Sequence, residues 1–214
     1  SAGTAPNFLY VGILMMLVAM CFKVAAAPFH FWAPDVYQGA PTVITAFMST
    51  VVKTAAIAAF FRLFLHTFST EGEFWKNTVW GLSALTILIG NISAVAQTNV
   101  KRMLAYSSIS HAGYMLLAIL ALNSTAPASL LFYTSAYSIS SITSFAILLA
   151  VSAVTGNENL DSFNGLARKN PFLGVITVIA MLSLAGIPPT AGFFAKYFIF
   201  SSAIQQGYTT LVLI

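Results

Sequence analysis

Charge is what this sequence has least of. Only 7% of its 214 residues are Asp, Glu, Lys or Arg, while 58% are apolar; soluble domains carry about a quarter charged. With a mean hydropathy of +0.87, a water-soluble globule is excluded and an integral membrane protein is expected. Cysteine is almost missing as well. The single Cys21 excludes an internal disulfide and any metal site built from cysteines. No GxGxxG, no GKS/T pair, no HExxH and no CxxC occurs, so the chain is expected to hold no redox cofactor, nucleotide or metal with its own residues. The N-terminal Ser1 to Pro6 has no basic region or cleavage pattern, so the first apolar run does not read as a signal peptide. An initiating Met is absent and the last residues, Leu211 to Ile214, lie inside an apolar run. The expectation is a fragment of a longer protein.

What is present is a series of apolar runs of spanning length, read as residues 8–38, 42–66, 75–96, 103–122, 128–154 and 172–203, with a truncated span from 209. The fold class expected is therefore an all-α polytopic membrane bundle. The run Phe172 to Ala203 is 32 residues long, which would reach about 48 Å as a straight helix against a hydrocarbon core of ~30 Å. It contains GIPPTAG, so Pro188 and Pro189 are expected to break it. The first run continues through FKVAAAPFHFW, where Pro28 predicts a second break, between Ala27 and Phe31. Two over-long helices, each interrupted by proline and each carrying a lysine, suggest an internal repeat. Lys101, Arg102, Arg168 and Lys169 gather on one side, making it cytoplasmic by the positive-inside rule. Asp35 to Pro41 would share that surface. Topology explains these basic pairs better than nucleic acid does. Trp32, Tyr37, Trp75 and Trp80 read as interfacial aromatics, and the loop from Thr155 to Pro171 as a connection.

Polar residues inside the runs fall on faces. Thr42, Thr45, Ser49 and Lys53 follow spacings of three, four and four, within about 80° on one helix side. Lys53 would sit near mid-membrane, too deep to snorkel easily. Ser107, Ser110, His111 and Tyr114 share a face of the fourth run, and Tyr133, Tyr137, Ser140, Ser141 and Ser144 share one of the fifth. The serines of the fifth read as helix-packing groups. Lys23 and Lys196 complete a set of three intramembrane lysines with no intramembrane Asp or Glu. Either these amines become neutral easily or their carboxylate partners lie elsewhere. A relay of protons and a set of static charges are the two readings of Lys53. His111 is either a proton carrier or a satisfied hydrogen-bonding group, and His30, beside the first break, either bridges toward Lys23 or caps the broken helix.

The stretches KVAAAPFHFWAPDVYQGAPT, NVKRMLAYSSISHAGYM and LAGIPPTAGFFAKYFIF resemble the antiporter-like membrane subunits of respiratory complex I, NADH:quinone oxidoreductase, in the branch called N. The resemblance covers nearly the whole chain. It implies a bundle of fourteen helices built from two inverted five-helix repeats, of which these spans look like the seventh to twelfth. It implies a proton-translocation line through Lys23, Lys53 and Lys196 with His111 as a polar station. His30, Ser49, Ser107, Ser110, Tyr114, Tyr133 and Tyr137 are further positions along it. A glutamate of the fifth helix, outside this chain, would partner Lys23. It implies a non-redox subunit, with NADH, FMN, iron-sulfur clusters and quinone held by other subunits. Its implied partners are the lipid bilayer, the antiporter-like subunit M and the small subunit K, in a bacterial inner membrane rather than a mitochondrial one. A subunit of a multisubunit sodium/proton antiporter, and a membrane spacer with statically paired lysines, are the competing readings.

Overall fold

Backbone amides in hydrocarbon must be paired within the protein, and a helix pairs them inside its own segment. The structure, a computed structural model, describes residues 4–214, with side chains from residue 7. Its regular elements are helices, in chain order α1 (Thr4–Val24), α2 (Trp32–Gly39), α3 (Thr42–Phe47), α4 (Lys53–His66), α5 (Gly72–Val95), α6 (Val100–Ala121), α7 (Ala126–Thr155), α8 (Leu166–Lys169), α9 (Pro171–Ala185), α10 (Ala191–Gln205) and α11 (Thr209–Val212). A π-helical turn, Met48–Val52, joins α3 to α4 without interrupting the rod. Five stretches are long and apolar enough to cross a membrane: Asn7–Val24, Thr42–His66, Ser69–Val95, Val100–Ala121 and Ala126–Thr155. The chain is an all-α, multi-pass membrane protein. The sixth apolar run is not one helix but two halves of 15 residues, α9 and α10.

Both breaks use the same backbone device. At the second, Gly186 adopts φ +80°, and the N–H groups of Gly186 and Ile187 turn back to the Leu182 carbonyl at 2.9 and 3.0 Å, a Schellman cap for which glycine is the natural residue. At the first, Ala25 takes φ +59° and Ala26 N–H reaches the Cys21 carbonyl at 2.8 Å. A non-glycine residue there costs roughly 1–2 kcal/mol. The surroundings hold it: Ala25, Ala26 and Ala27 are all buried, and Ala27 N–H donates to Thr86 Oγ1 of α5 at 2.9 Å. The helix thus ends at Val24, ahead of the expected break between Ala27 and Phe31. Pro28 cannot donate to the carbonyl four residues back, so the last turn has already unwound before the proline is reached.

The middle of the bundle is α6, on which all of Ala112 to Ala121 except Tyr114 is buried. It packs on α5 through two glycines. A Cβ on Gly90 would stand 2.6 Å from the Ser110 backbone N, and one on Gly113 would stand 2.7 Å from Ile87 Cγ1. Ser83 Oγ then donates to the Gly113 carbonyl at 2.8 Å. A second close crossing joins the two half-helices to each other. Trp75 and Tyr37, expected at the membrane interfaces, are instead buried, at 0% and 2% exposure. Trp75 packs edge-on to Phe64 and donates to the Phe68 carbonyl, and Tyr37 joins Ala25, Ala33, Ala105 and Ile109 in a small apolar cluster. An aromatic near a helix end is interfacial only if no neighbouring helix covers it.

The basic end of the bundle is tied by charges. Lys101, 3% exposed, donates to the Ala40 carbonyl at 2.6 Å and pairs with Glu158 at 3.3 Å. Arg102 pairs with Asp35 at 2.6 Å and donates to Gln38. Glu158 belongs to the loop read as a mere connection; its carbonyl also accepts from Val100 N–H, and Leu160 N–H donates to the Thr98 carbonyl. The loop therefore clamps the start of α6 to the junction between α2 and α3.

The tightest crossing is at Gly192, where a Cβ would lie 1.7 Å from the Ser183 carbonyl oxygen. Gly192→Ala should force α9 and α10 apart and destabilise the protein by about 1–3 kcal/mol. Gly81→Ala, with nothing within 4 Å of its added Cβ, should cost little and raise helix propensity. Thermal unfolding of the two variants in the assembled, full-length protein checks the contrast; equal midpoints would contradict the packing described.

Candidate functional site

A lysine held in an apolar bundle needs oxygen acceptors, and two of the three lysines have them. Lys53, 3% exposed, stands at the first turn of α4 directly after the π turn. Its Nζ donates to the Ser108 carbonyl at 2.6 Å and to Ser108 Oγ at 2.5 Å. Thr42, Thr45 and Ser49, read from the sequence as sharing its face, are buried with it. Ser49 does not touch Lys53 by its hydroxyl, however, which turns to the Ala46 carbonyl. The π turn changes the local register: Lys53 N–H bonds the Thr50 carbonyl, and the Ser49 carbonyl accepts from Tyr137 of α7 at 3.1 Å. Single π turns inside α-helices recur at functional positions.

Lys196 of α10 is half-buried and donates to the Ala185 carbonyl at 2.8 Å. That oxygen is available because α9 ends there, and a helix leaves its last carbonyls without intrahelical partners. The same ammonium lies 4.8 Å above the ring of Tyr114, a favourable cation–π placement. Tyr114 OH accepts from Asn91 Nδ2 at 3.1 Å. Between the lysines sits His111 of α6, whose Nδ1 is 2.6 Å from Tyr133 OH. Its ring centroid lies 4.7 Å from that of Tyr137 and 6.0 Å from that of Tyr114, and it shares a cleft with Lys196. Tyr133, Tyr137, Ser140, Ser141 and Ser144 all bury. Ser140 Oγ donates to Ser183 Oγ across to α9 at 2.8 Å, consistent with a packing role.

Three clefts meet this line. Ser107, Ser110, His111, Tyr114 and Lys196 share one of about 390 Å³ that also reaches Asn91. Lys196 forms the wall of a second, of about 450 Å³, toward Ser201 and Gln205. Lys53 and Lys23 both border a third, of about 290 Å³, with Phe22, Trp32, Tyr37 and Met48. Lys23 is exposed there and makes no hydrogen bond or ion pair among the described residues. His30 is not joined to Lys23 either, contrary to the bridging role considered from the sequence; its Nδ1 is buried with no hydrogen-bond partner among the described residues. The helix-capping role falls instead to Trp32, whose Nε1 donates to the Phe22 carbonyl at 3.1 Å. Ser108 and Asn91 are the site residues that sequence reasoning passed over. Ser108 adjoins Ser107 but points across the helix to α4, and no pattern within one helix reveals a partner on another.

Residues 2–214 match the family described as "NADH:quinone oxidoreductase/Mrp antiporter, TM". The chain belongs to this family. Within the oxidoreductase/antiporter family, it is 47% identical over its whole length to NADH-quinone oxidoreductase subunit N of Cytophaga hutchinsonii, covering 47% of that protein. It is 40% identical, with a TM-score of 0.79, to a chain of respiratory complex I from Thermus thermophilus with bound aureothin, covering 95% of this chain and 45% of that one. A chain of the Mrp complex from a Dietzia species gives a TM-score of 0.87 at 27% identity, covering 95% of this chain and 38% of the other. The chain thus spans about half the length of the curated relatives it matches. The motif resemblance to the N branch agrees with these relatives.

Buried hydrogen bonds at the histidine give a stability test. Tyr133→Phe strips the partner of a fully buried ring nitrogen and should cost about 1–3 kcal/mol. Tyr114→Phe, whose hydroxyl meets the exposed Asn91, should cost less. Denaturation midpoints of the two variants, measured in the assembled protein, decide this; a smaller loss for Tyr133→Phe would contradict the buried pairing of His111.

Proposed function

We propose that the chain is part of a proton-translocating membrane subunit of NADH:quinone oxidoreductase, of the subunit N type. The observation that carries this reading is the placing of buried Lys53 and His111 and half-buried Lys196 on α4, α6 and α10, with tyrosine and serine hydroxyls between them and no carboxylate paired with either lysine among the described residues. Each of the three groups can gain or lose a proton, and two of them hold their place by carbonyls rather than by a permanent counter-ion. Lys53 passes a proton laterally past Ser108, Tyr137 and His111, and Lys196 releases it toward the outside or hands it on. Lys23 responds to a carboxylate from a helix outside this chain. Breaking that pair would change which amine holds charge, so movement elsewhere in the complex biases the line. Ser49, Ser107, Ser110, Tyr114 and Tyr133 supply polar surface for ordered water along it. The redox chemistry, with NADH, FMN, iron-sulfur clusters and quinone, belongs to other subunits. Subunits M and K are the proposed neighbours, in a bacterial inner membrane.

The Dietzia Mrp chain supports a second reading, a cation/proton antiporter subunit with no electron-transfer partner, since its TM-score is the higher of the two structures described, 0.87 against 0.79. Sequence identity favours the first reading, at 40% against 27%. Co-purification of the full-length subunit with NADH:quinone reductase activity is the expected result; its absence, with cation/proton exchange retained, would favour the antiporter.

Lys53→Arg separates a relay from a fixed charge. Guanidinium keeps the positive charge and never deprotonates at usable pH. In the full subunit assembled in its complex, the variant should lose proton uptake into inverted vesicles by roughly tenfold or more, with coupled NADH oxidation falling too. Lys53→Ala should fail as well. An Arg variant that assembles and pumps at the parent rate, beside an Ala variant that does not, would make Lys53 a static charge.

A further inference from the structure

We infer that Ser108 is a positioning residue for Lys53, holding two of the three bonding directions of Nζ and leaving the third toward the cleft shared with Lys23. The inference rests on the proton-translocation reading above. Lys53 Nζ has its two contacts, at 2.6 and 2.5 Å, on one residue of another helix, and Ser108 is itself 2% exposed. Among the described residues no other hydrogen bond reaches Nζ.

The number of acceptors matters because the two protonation states differ by one donor. An ammonium has three N–H groups, and a neutral amine has two and a lone pair. A carboxylate added to this shell would hold the amine as the ammonium. A single acceptor would leave the neutral amine with an unmade hydrogen bond in a buried site. Two acceptors suit both states. The proton that comes and goes therefore occupies the remaining direction, and the cleft of about 290 Å³ is the space that Lys53 borders. A proton leaving that way passes to water, the lone pair stays on Nζ, and both bonds to Ser108 persist. The reverse step restores the ammonium.

The Ser108 hydroxyl accepts from Lys53 and keeps its own proton to donate. Lys23 of α1 and Tyr37 of α2 border the same cleft as Lys53, Tyr137 of α7 meets the Ser49 carbonyl one turn away, and His111 follows Ser108 by three residues on α6. None is a carboxylic acid that would fix the amine's charge. Ser108 thus supplies orientation without supplying charge.

The test uses the full-length subunit assembled in its complex, with the rate of proton uptake and the rate of NADH oxidation read separately in inverted vesicles and assembly measured independently. Ser108→Ala keeps the carbonyl and removes the hydroxyl; it should lower uptake about tenfold, the rate equivalent of one hydrogen bond to a charged group. Ser108→Cys, nearly the same shape but a weak acceptor, should behave like Ala, while Ser108→Thr, which keeps the hydroxyl, should recover most of the parent rate. The Ser108→Ala/Lys53→Ala pair should be no worse than Lys53→Ala alone. Parent-rate pumping by Ser108→Ala beside failure of Lys53→Ala would overturn the role of Ser108 only. Parent-rate pumping by Lys53→Ala would overturn the translocation reading itself. Loss of assembly in both the Ala and Cys variants would make Ser108 a folding residue and also overturn the inference.

Discussion

A regular helix has few oxygen atoms to offer a buried amine, because each carbonyl in its interior is already engaged in the helical ladder. The arrangement of this protein depends on where that ladder is opened or shared. Lys196 takes the Ala185 carbonyl that the end of α9 sets free. Lys53 takes a second lone pair on the Ser108 carbonyl, inside an unbroken helix, and adds the hydroxyl of the same residue. Tyr137 meets the Ser49 carbonyl at the π turn. Irregular backbone is tolerated in hydrocarbon only where protein or a polar cavity covers it, so the breaks, the π turn and the lysines belong together physically.

Sharing a carbonyl across helices requires the helices to come close, and that falls to small residues. Gly90 and Gly113 let α5 and α6 touch backbone to side chain, and Gly192 lets α10 cross the Ser183 carbonyl. With α6 pressed against its neighbours, Ser108 faces α4 on one side while Ser107, Ser110, His111 and Tyr114 border the cleft toward α10 on the other. One helix thereby connects two lysines that lie 143 positions apart in the chain. Small residues and interhelical hydrogen bonds stand in for the hydrophobic drive that lipid does not supply between helices.

The features legible in the sequence were those that act within a single segment. Proline next to small residues marked both breaks, apolar length marked the spans, and the basic pairs marked the end where Lys101 and Arg102 are found with Asp35, Gln38 and Glu158. What stayed hidden depends on neighbours. Ala25 gives no sign of a left-handed cap, since alanine is ordinarily a helix former; buried contacts and the bond to Thr86 hold it there. Ser108 looked like one more serine beside Ser107. Glu158 looked like part of a connection because its lysine partner precedes it by a whole hairpin. Tyr37 and Trp75 sit near helix ends, where interfacial aromatics are common, and only the packed bundle shows that they are covered.

Lys23 completes the argument by contrast. Lys53 and Lys196 are each fixed by carbonyl oxygens, whereas Lys23 borders its cleft without a hydrogen bond or ion pair among the described residues. Two ammonium ions bordering one cleft repel, and that repulsion is weakly screened away from bulk water. Lys23 and Lys53 thus border one cleft, while the geometry of Lys53 is held by Ser108. A carboxylate brought to Lys23 would relieve the repulsion without touching Lys53, and its withdrawal would restore it. The two amines therefore differ in what can reach them: Lys53 is fixed by one residue of α6, whereas Lys23 stands open to any charge that enters the cleft.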